Sequence, residues 1–204
     1  MIGLEKDGGL WTVTLRRPDK ANSLTGDMLR QLADIADEAA AGGAQALILT
    51  GEGRVFSAGA DLEEARAGLA TSPVWERLSA ALAAASCLTI AALNGTLAGG
   101  AFGMALACDL RIAVPGATFF YPVMKLGFLP QPSDPPRLAA LIGPARAKMI
   151  LMAGARIGAE EALAWGLIDR ITSPEALLAT AQNLAADALA ASGGHVAAIK
   201  RLVQ

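Results

Sequence analysis

From Leu78 to Cys108 the chain runs for 31 residues without a charge. A stretch of that length has to leave water, either into a bilayer or into the middle of a core. Its own residues decide which. Asn94-Gly95 and Gly99-Gly100 interrupt it, and Ser79, Ser86, Thr89, Asn94 and Thr96 dilute it. Such breakers end helices and open turns. The run is therefore expected to fold as a helix, a buried strand, a Gly-rich turn and a buried helix, and no membrane span is expected. The 204 residues are 53% hydrophobic and 18% charged, which suits one well-buried core and excludes a disordered chain. Alanine fills 45 positions and glycine 22, so the elements should pack closely on small side chains.

The same strand-then-turn grammar occurs elsewhere. Trp11–Leu15 alternates as a half-buried strand does, and Ala46–Thr50 is continuously apolar, as is Thr89–Leu93. Between them lies a helical period from Thr25 to Ala41, with Thr25 as the cap and Met28, Leu29, Leu32, Ile35 and Ala36 on one face. Ser72-Pro73 should open a second helix, whose inner face is Trp75, Leu78, Leu82 and Ala85. A short helix is expected at 101–108 and short strands at 110–114 and 118–120. Pro122–Pro136 reads as irregular. Helices are expected at about 144–153, 159–165 and 174–191, the last capped by Ser173. Strands alternating with helices in the first half predict an α/β fold with a largely parallel sheet.

Composition removes several functions. Net charge is −2 with no run of Lys or Arg, and aromatics are 4%, so no nucleic-acid partner is expected. Cys87 and Cys108 form no pair motif and His195 is the one histidine, so neither a metal cluster nor a disulfide framework is expected. Met1–Asp7 carries three charges and no apolar segment of a secretory leader, so a cytoplasmic protein is expected.

Two turns carry the chemistry. Val55-Phe56-Ser57-Ala58-Gly59-Ala60-Asp61-Leu62 follows strand 46–50, and Asn94-Gly95-Thr96-Leu97-Ala98-Gly99-Gly100-Ala101 follows strand 89–93. Small residues let a ligand approach the backbone, and the second turn also opens a helix, whose N-terminus favours negative charge. Two amides converging there would make an oxyanion hole. A dinucleotide-binding turn is the rival reading of Gly99–Gly103. It lacks the glycine it would need at position 98, where Ala98 stands.

In order along the chain, five segments resemble the crotonase superfamily, the enoyl-CoA hydratase/isomerase family. They are Arg17-Pro18-Asp19-Lys20-Ala21-Asn22-Ser23-Leu24, Phe56-Ser57-Ala58-Gly59-Ala60-Asp61-Leu62, Ala92-Leu93-Asn94-Gly95 through Gly99-Gly100 to Cys108-Asp109-Leu110-Arg111-Ile112-Ala113, Gly158-Ala159-Glu160-Glu161-Ala162, and Trp165-Gly166-Leu167-Ile168. The resemblance implies a crotonase-like ββα spiral in one domain over 1–204. About 1–140 would be the spiral core with the pocket, and about 141–204 a shortened helical C-terminal part, since relatives carry further helices beyond the region of Lys200. It implies an acyl-CoA thioester whose oxygen lies between the N–H groups of Ala60 and Gly100, coenzyme A entering as part of the substrate and no other cofactor. Lys20, Ala21, Ala58, Ala60, Asp61, Leu62 and Gly100 would bind that substrate. A homotrimer or a dimer of trimers is implied as well.

The two glutamates that hydratases of this family use fall at Gly103 and Val123, neither of which transfers a proton. The resemblance thus implies isomerase-type or other crotonase chemistry in place of simple hydration. The alternative is a non-catalytic acyl-CoA-binding or assembly subunit. Asp134 is the candidate for a relocated acid or base, with Tyr121, Lys125 and Asp61 behind it. Cys108, in a buried helix, is expected to be inert.

Overall fold

The structure, a computed structural model, describes residues 1–203. It begins with an antiparallel hairpin of β1 (Ile2–Asp7) and β2 (Leu10–Leu15), followed by α1 (Gly26–Glu38). Three strand–strand–helix turns come next. The first is β3 (Ala46–Gly51), β4 (Val55–Ser57) and helices α2 (Leu62–Arg66) and α3 (Val74–Ala84). The second is β5 (Leu88–Leu93), β6 (Thr96–Ala98) and α4 (Phe102–Ala107), entered through a 3₁₀ turn at Gly99–Ala101. The third is β7 (Leu110–Ala113), β8 (Thr118–Phe120) and α5 (Val123–Leu126), with α6 (Asp134–Ile142) and α7 (Pro144–Leu151) after it. The chain finishes with β9 (Ile157–Gly158), α8 (Ala159–Trp165), β10 (Arg170–Ile171), α9 (Leu177–Ala190) and α10 (Gly193–Val203).

Each turn of the spiral splits its two strands between two sheets. The first strands join β1, β2 and β10 in a six-stranded sheet of order β1-β2-β3-β5-β7-β10, and the second strands form a smaller sheet of order β4-β6-β8-β9. All pairings are parallel except β1 with β2 and β8 with β9. The continuous apolar runs lie in the middle of the large sheet, with Ala46–Leu49 and Ile90–Leu93 covered on both faces. This is the α/β spiral expected, and the uncharged run folds as α3, β5, β6 and α4. No helix among the described residues is long and apolar enough to cross a membrane.

Some expectations are corrected. Thr25 caps α1 as expected, its hydroxyl accepting from Met28 N–H at 3.2 Å. Ser72 is not the cap of α3: Pro73 takes that position and Ser72 Oγ accepts from Val74 N–H at 3.4 Å. Strand β1 was not expected, because charges at Glu5, Lys6 and Asp7 hide it, and an edge strand tolerates them. The segment 122–136 is not wholly irregular. Its prolines at 135 and 136 stand in the first turn of α6, where helical N–H groups have no partner to lose. The C-terminal part is not purely helical either, since β9 and β10 return one strand to each sheet.

Candidate functional site

Successive turns of the spiral bring three loops to one place. Parallel neighbours β4, β6 and β8 end side by side, so the segments that leave them (58–61, 99–100 and 121–123) share one edge of the small sheet. Open parallel sheets bind ligands at this carboxyl end of their strands. A cavity of about 160 Å³ opens there. Ala58, Ala60, Ala98, Gly99 and Gly100 line its backbone side, and Trp75, Phe120, Tyr121, Val123 and Leu126 its side-chain walls. No Asp, Glu, Lys, Arg or His lines it. Its mouth is apolar as well, with Leu62 73% and Leu129 88% exposed.

The first loop is held rigidly. Ala60 forms a parallel bridge with Leu24, in which Leu24 N–H donates to Gly59 O at 2.7 Å and Asp61 N–H to Leu24 O at 2.9 Å. That pattern uses both backbone groups of Leu24 and turns the N–H of Ala60 to the opposite side. Gly59 makes the corner with φ +95°, a value that L side chains rarely adopt. A Cβ on Gly59 would lie 3.0 Å from Ala98 O and 3.5 Å from Gly100 N, so the two turns approach to backbone contact. Gly100 in turn lies against Trp75, where a Cβ would meet the ring at 3.2 Å. As part of the opening turn of the helix 99–107, its amide belongs to the positive end.

The first matched segment is scaffolding for that loop. Arg17 pairs with Asp61 at 2.8 Å, both side chains largely buried, and also donates to Ser23 O. Asn22 donates to Glu52 O and Val55 O, and Ser57 Oγ donates to Asn22 O at 2.8 Å. Ala58 N–H donates to Ala21 O at 3.0 Å. The Asp61 carboxylate also accepts from the first amides of α2, and with the Arg17 guanidinium as the leading cause it is held below the usual carboxylate range. Asp61 thus fixes the loop and does not line the cavity. Lys20 is exposed on the neighbouring turn, outside the lining, and Lys125 is exposed on α5.

Two candidates that the sequence left separate are joined. Tyr121 leaves β8 stacked on Phe102, ring centroids 5.4 Å apart, and donates from its hydroxyl to Asp134 Oδ2 at 2.9 Å. Asp134 is not a solvated turn carboxylate; it is 1% exposed, in the first turn of α6. Its other oxygen, Oδ1, is buried without a hydrogen-bond partner among the described residues. Gly103 explains the space. A Cβ there would stand 2.8 Å from Asp134 Oδ1 and 2.6 Å from Ser79 Oγ, so the carboxylate occupies the place of the missing side chain. Burial pushes the Asp134 carboxyl up to about 7, against the opposing influence of the Tyr121 hydrogen bond, with Glu76 raising it further and Arg137 lowering it. Burial and the neighbouring Asp134 charge also push the Tyr121 hydroxyl upward, so it remains a donor.

Trp75, the wall against Gly100, was missed by sequence reading, which placed it on the inner face of its helix and gave it no further part. A wider groove of about 560 Å³ lies between α9, α10 and the ends of β5 and β7. Lys200 and Asp109 in its lining pair with each other at 2.8 Å, and Asp187 and His195 line it as well. Burial pushes the Cys108 thiol up to about 12, so it stays unreactive, as expected.

Comparison with known proteins follows the same lines. A family model described as enoyl-CoA hydratase/isomerase matches residues 5–204. A Bacillus subtilis protein named as an enoyl-CoA hydratase/isomerase, YngF, is 40% identical over 189 residues, covering 89% of this chain and 72% of its own. A 4-chlorobenzoyl coenzyme A dehalogenase of Arthrobacter is 34% identical over 185 residues, covering 84% and 66%. Among solved structures, an enoyl-CoA hydratase subunit I of Geobacillus kaustophilus superposes with a TM-score of 0.89 at 33% identity, over 100% of this chain and 80% of that one.

Proposed function

The chain belongs to the enoyl-CoA hydratase/isomerase family, the crotonase superfamily, and on that premise we propose that its pocket binds an acyl-CoA thioester and holds the thioester oxygen between the N–H groups of Ala60 and Gly100. The observation that carries this reading is the backbone contact between the Gly59 and Gly99-Gly100 turns at the carboxyl ends of β4 and β6. It sets the amide of Ala60, turned away from Leu24, beside the opening turn of a helix. Such an arrangement stabilises the negative charge that develops on oxygen as an enolate or a tetrahedral centre forms, and losing one such donor costs about 2.7–4 kcal/mol.

The walls narrow the acyl group. The lining holds Tyr121 and Gln131 as its polar side chains and no charged one among otherwise Ala, Gly, Leu, Phe, Pro, Trp and Val, so the pocket suits an uncharged, largely apolar acyl chain, and a carboxylate-bearing one would lose its hydration there without a cationic partner. Ala58 and Leu62 would meet the acyl and pantetheine portions. Lys20 and Ala21, on the loop tied to Ala58, would meet the coenzyme portion outside. The reaction is of crotonase type, an isomerisation or another step through an enolate, because Gly103 and Val123 offer no acid for hydration. A homotrimer or dimer of trimers is the assembly this family reading implies, to be measured by light scattering.

The test is a titration with acetoacetyl-CoA followed by ultraviolet difference spectroscopy. A saturable enolate band is expected. No binding at millimolar ligand would overturn the reading. Binding with no enolate band would favour a carrier or assembly subunit, the reading that the two missing glutamates support.

A further inference from the structure

We propose that this site takes a long acyl chain, whose first carbons fill the cavity and whose remainder lies along an apolar rim made by Leu126, Phe128 and Leu129. The inference rests on the thioester-binding reading above and deepens it by naming the class of acyl group. Three observations carry it. The cavity is small, about 160 Å³, against roughly 300–1,000 Å³ for pockets that bury most of a small-molecule ligand. Its walls at Trp75 and Tyr121 are fixed, the one packed on Gly100 and the other stacked on Phe102 and tied to the buried Asp134, so a longer chain is not housed by moving them. The mouth continues as exposed apolar surface: Leu126, Phe128 and Leu129 line the cavity and are 58%, 41% and 88% exposed, and Leu62 lines it from the first loop. Apolar side chains scattered singly on a surface need no explanation, but a group continuous with a cavity marks a binding surface.

The rim is held by its own backbone. Leu126 N–H donates to Pro122 O at 3.1 Å, and the N–H groups of Gly127 and Phe128 donate to Val123 O at 2.9 and 3.2 Å. Gly127 closes α5 with φ +72°, and Phe128 and Leu129 follow along the mouth. The charge in this segment, Lys125, stands outside the lining, so the rim offers methylenes a surface and offers an anion no partner. The occupant that the site itself supplies is the acyl chain. Once the thioester is held, the rest of the chain is tethered beside the rim, and its contact costs no further loss of translational freedom. A second copy would have to be recruited from solution and needs about 800 Å² on each partner, which four side chains alone do not supply.

The experiment measures the dissociation constants of butyryl-, octanoyl- and dodecanoyl-CoA by calorimetry, each ligand kept below its micelle concentration. A fully buried methylene strengthens binding about fourfold, and one covered on one side by a rim about twofold. Affinity should therefore rise at each step, by about 10²-fold from butyryl- to dodecanoyl-CoA. Leu129→Ser, at a side chain too exposed to affect folding, should weaken dodecanoyl-CoA about tenfold more than butyryl-CoA. Failure of all three ligands to bind overturns the thioester reading. Equal affinities along the series overturn this inference alone. So does a Leu129→Ser loss that is the same at every chain length, and fewer subunits by light scattering in that variant would make the rim a contact between copies.

Discussion

Two carboxylates, Asp109 at the entry to the large sheet and Asp134 at the start of α6, are held in different ways. Asp109, entering β7 of the large sheet, accepts from Thr89 N–H at 2.8 Å, Thr89 Oγ1 at 2.9 Å and Lys200 Nζ at 2.8 Å. All three donors converge on Oδ2, and they tie α10 and β5 to the start of β7. Asp134, beside the small sheet, is more deeply buried and has the Tyr121 hydroxyl on one oxygen and no partner on the other. The difference is burial: the Asp109 side chain is 26% exposed, so water can reach it, whereas Asp134 is 1% exposed, and a carboxylate oxygen left unpartnered in the interior lowers stability. The large sheet, built of apolar runs covered on both faces, supplies the stability against which the small sheet's edge holds its open turns and the half-partnered Asp134 carboxylate.

The sharpest test of that contrast is stability against pH. An unfolded Asp134 ionises near 3.8 and the folded one near 7. Between those values the folded chain holds a proton that the unfolded chain has released, so stability falls as pH rises from about 4 to about 7 and is level above. The fall from this group is as much as about 4 kcal/mol. Urea melts at pH 5 and pH 8 should show wild-type protein losing more stability than Asp134→Asn, with the variant the more stable at pH 8. Equal losses would mean that Asp134 is solvated.

Next in size is Gly59→Ala. The added methyl meets Ala98 O at 3.0 Å in a backbone region unsuited to alanine. It should spread the two turns and weaken the acetoacetyl-CoA enolate by about 10²–10³-fold, or about 2.7–4 kcal/mol. An undiminished band would remove the oxyanion role of these turns. Asp109→Ala should cost about 2–3 kcal/mol in thermal or urea melts, because the Lys200 ammonium and two Thr89 donors lose their acceptor. Its enolate band should be unchanged, and a lost band would show that this junction is coupled to the two turns. The smallest effect is expected from Glu5→Gln on the edge strand, whose exposed pair with Arg16 at 2.7 Å contributes less than about 1 kcal/mol to a melt.

Much of this was legible before any coordinates. The apolar runs at 46–50 and 89–93 read as buried strands and are so, and the two glycine-bearing turns after them meet at one edge of the small sheet. Thr25 as a cap, the inner face of α3 and the part of Asp61 in fixing its loop follow from local chemistry, which spacing records. Less legible were β1, because an edge strand need not alternate, and α6, because two prolines look like a break until they are known to stand in its first turn.

The sequence by itself determined the alternation of buried strands and helices, the two turns and the absence of acids at 103 and 123, since periodicity, glycine placement and residue identity are properties of short stretches, while the spiral was implied by the resemblance of five segments to a known family. Only the tertiary structure decided that Asp134 is buried, that Tyr121 holds it, and that Oδ1 stands where a side chain of residue 103 would be. The reason is physical. Burial and hydrogen bonding of a carboxylate are set by α3, α4, β8 and α6 meeting at one point, and residues 55 positions apart in the chain, such as Ser79 and Asp134, leave no local trace of that meeting.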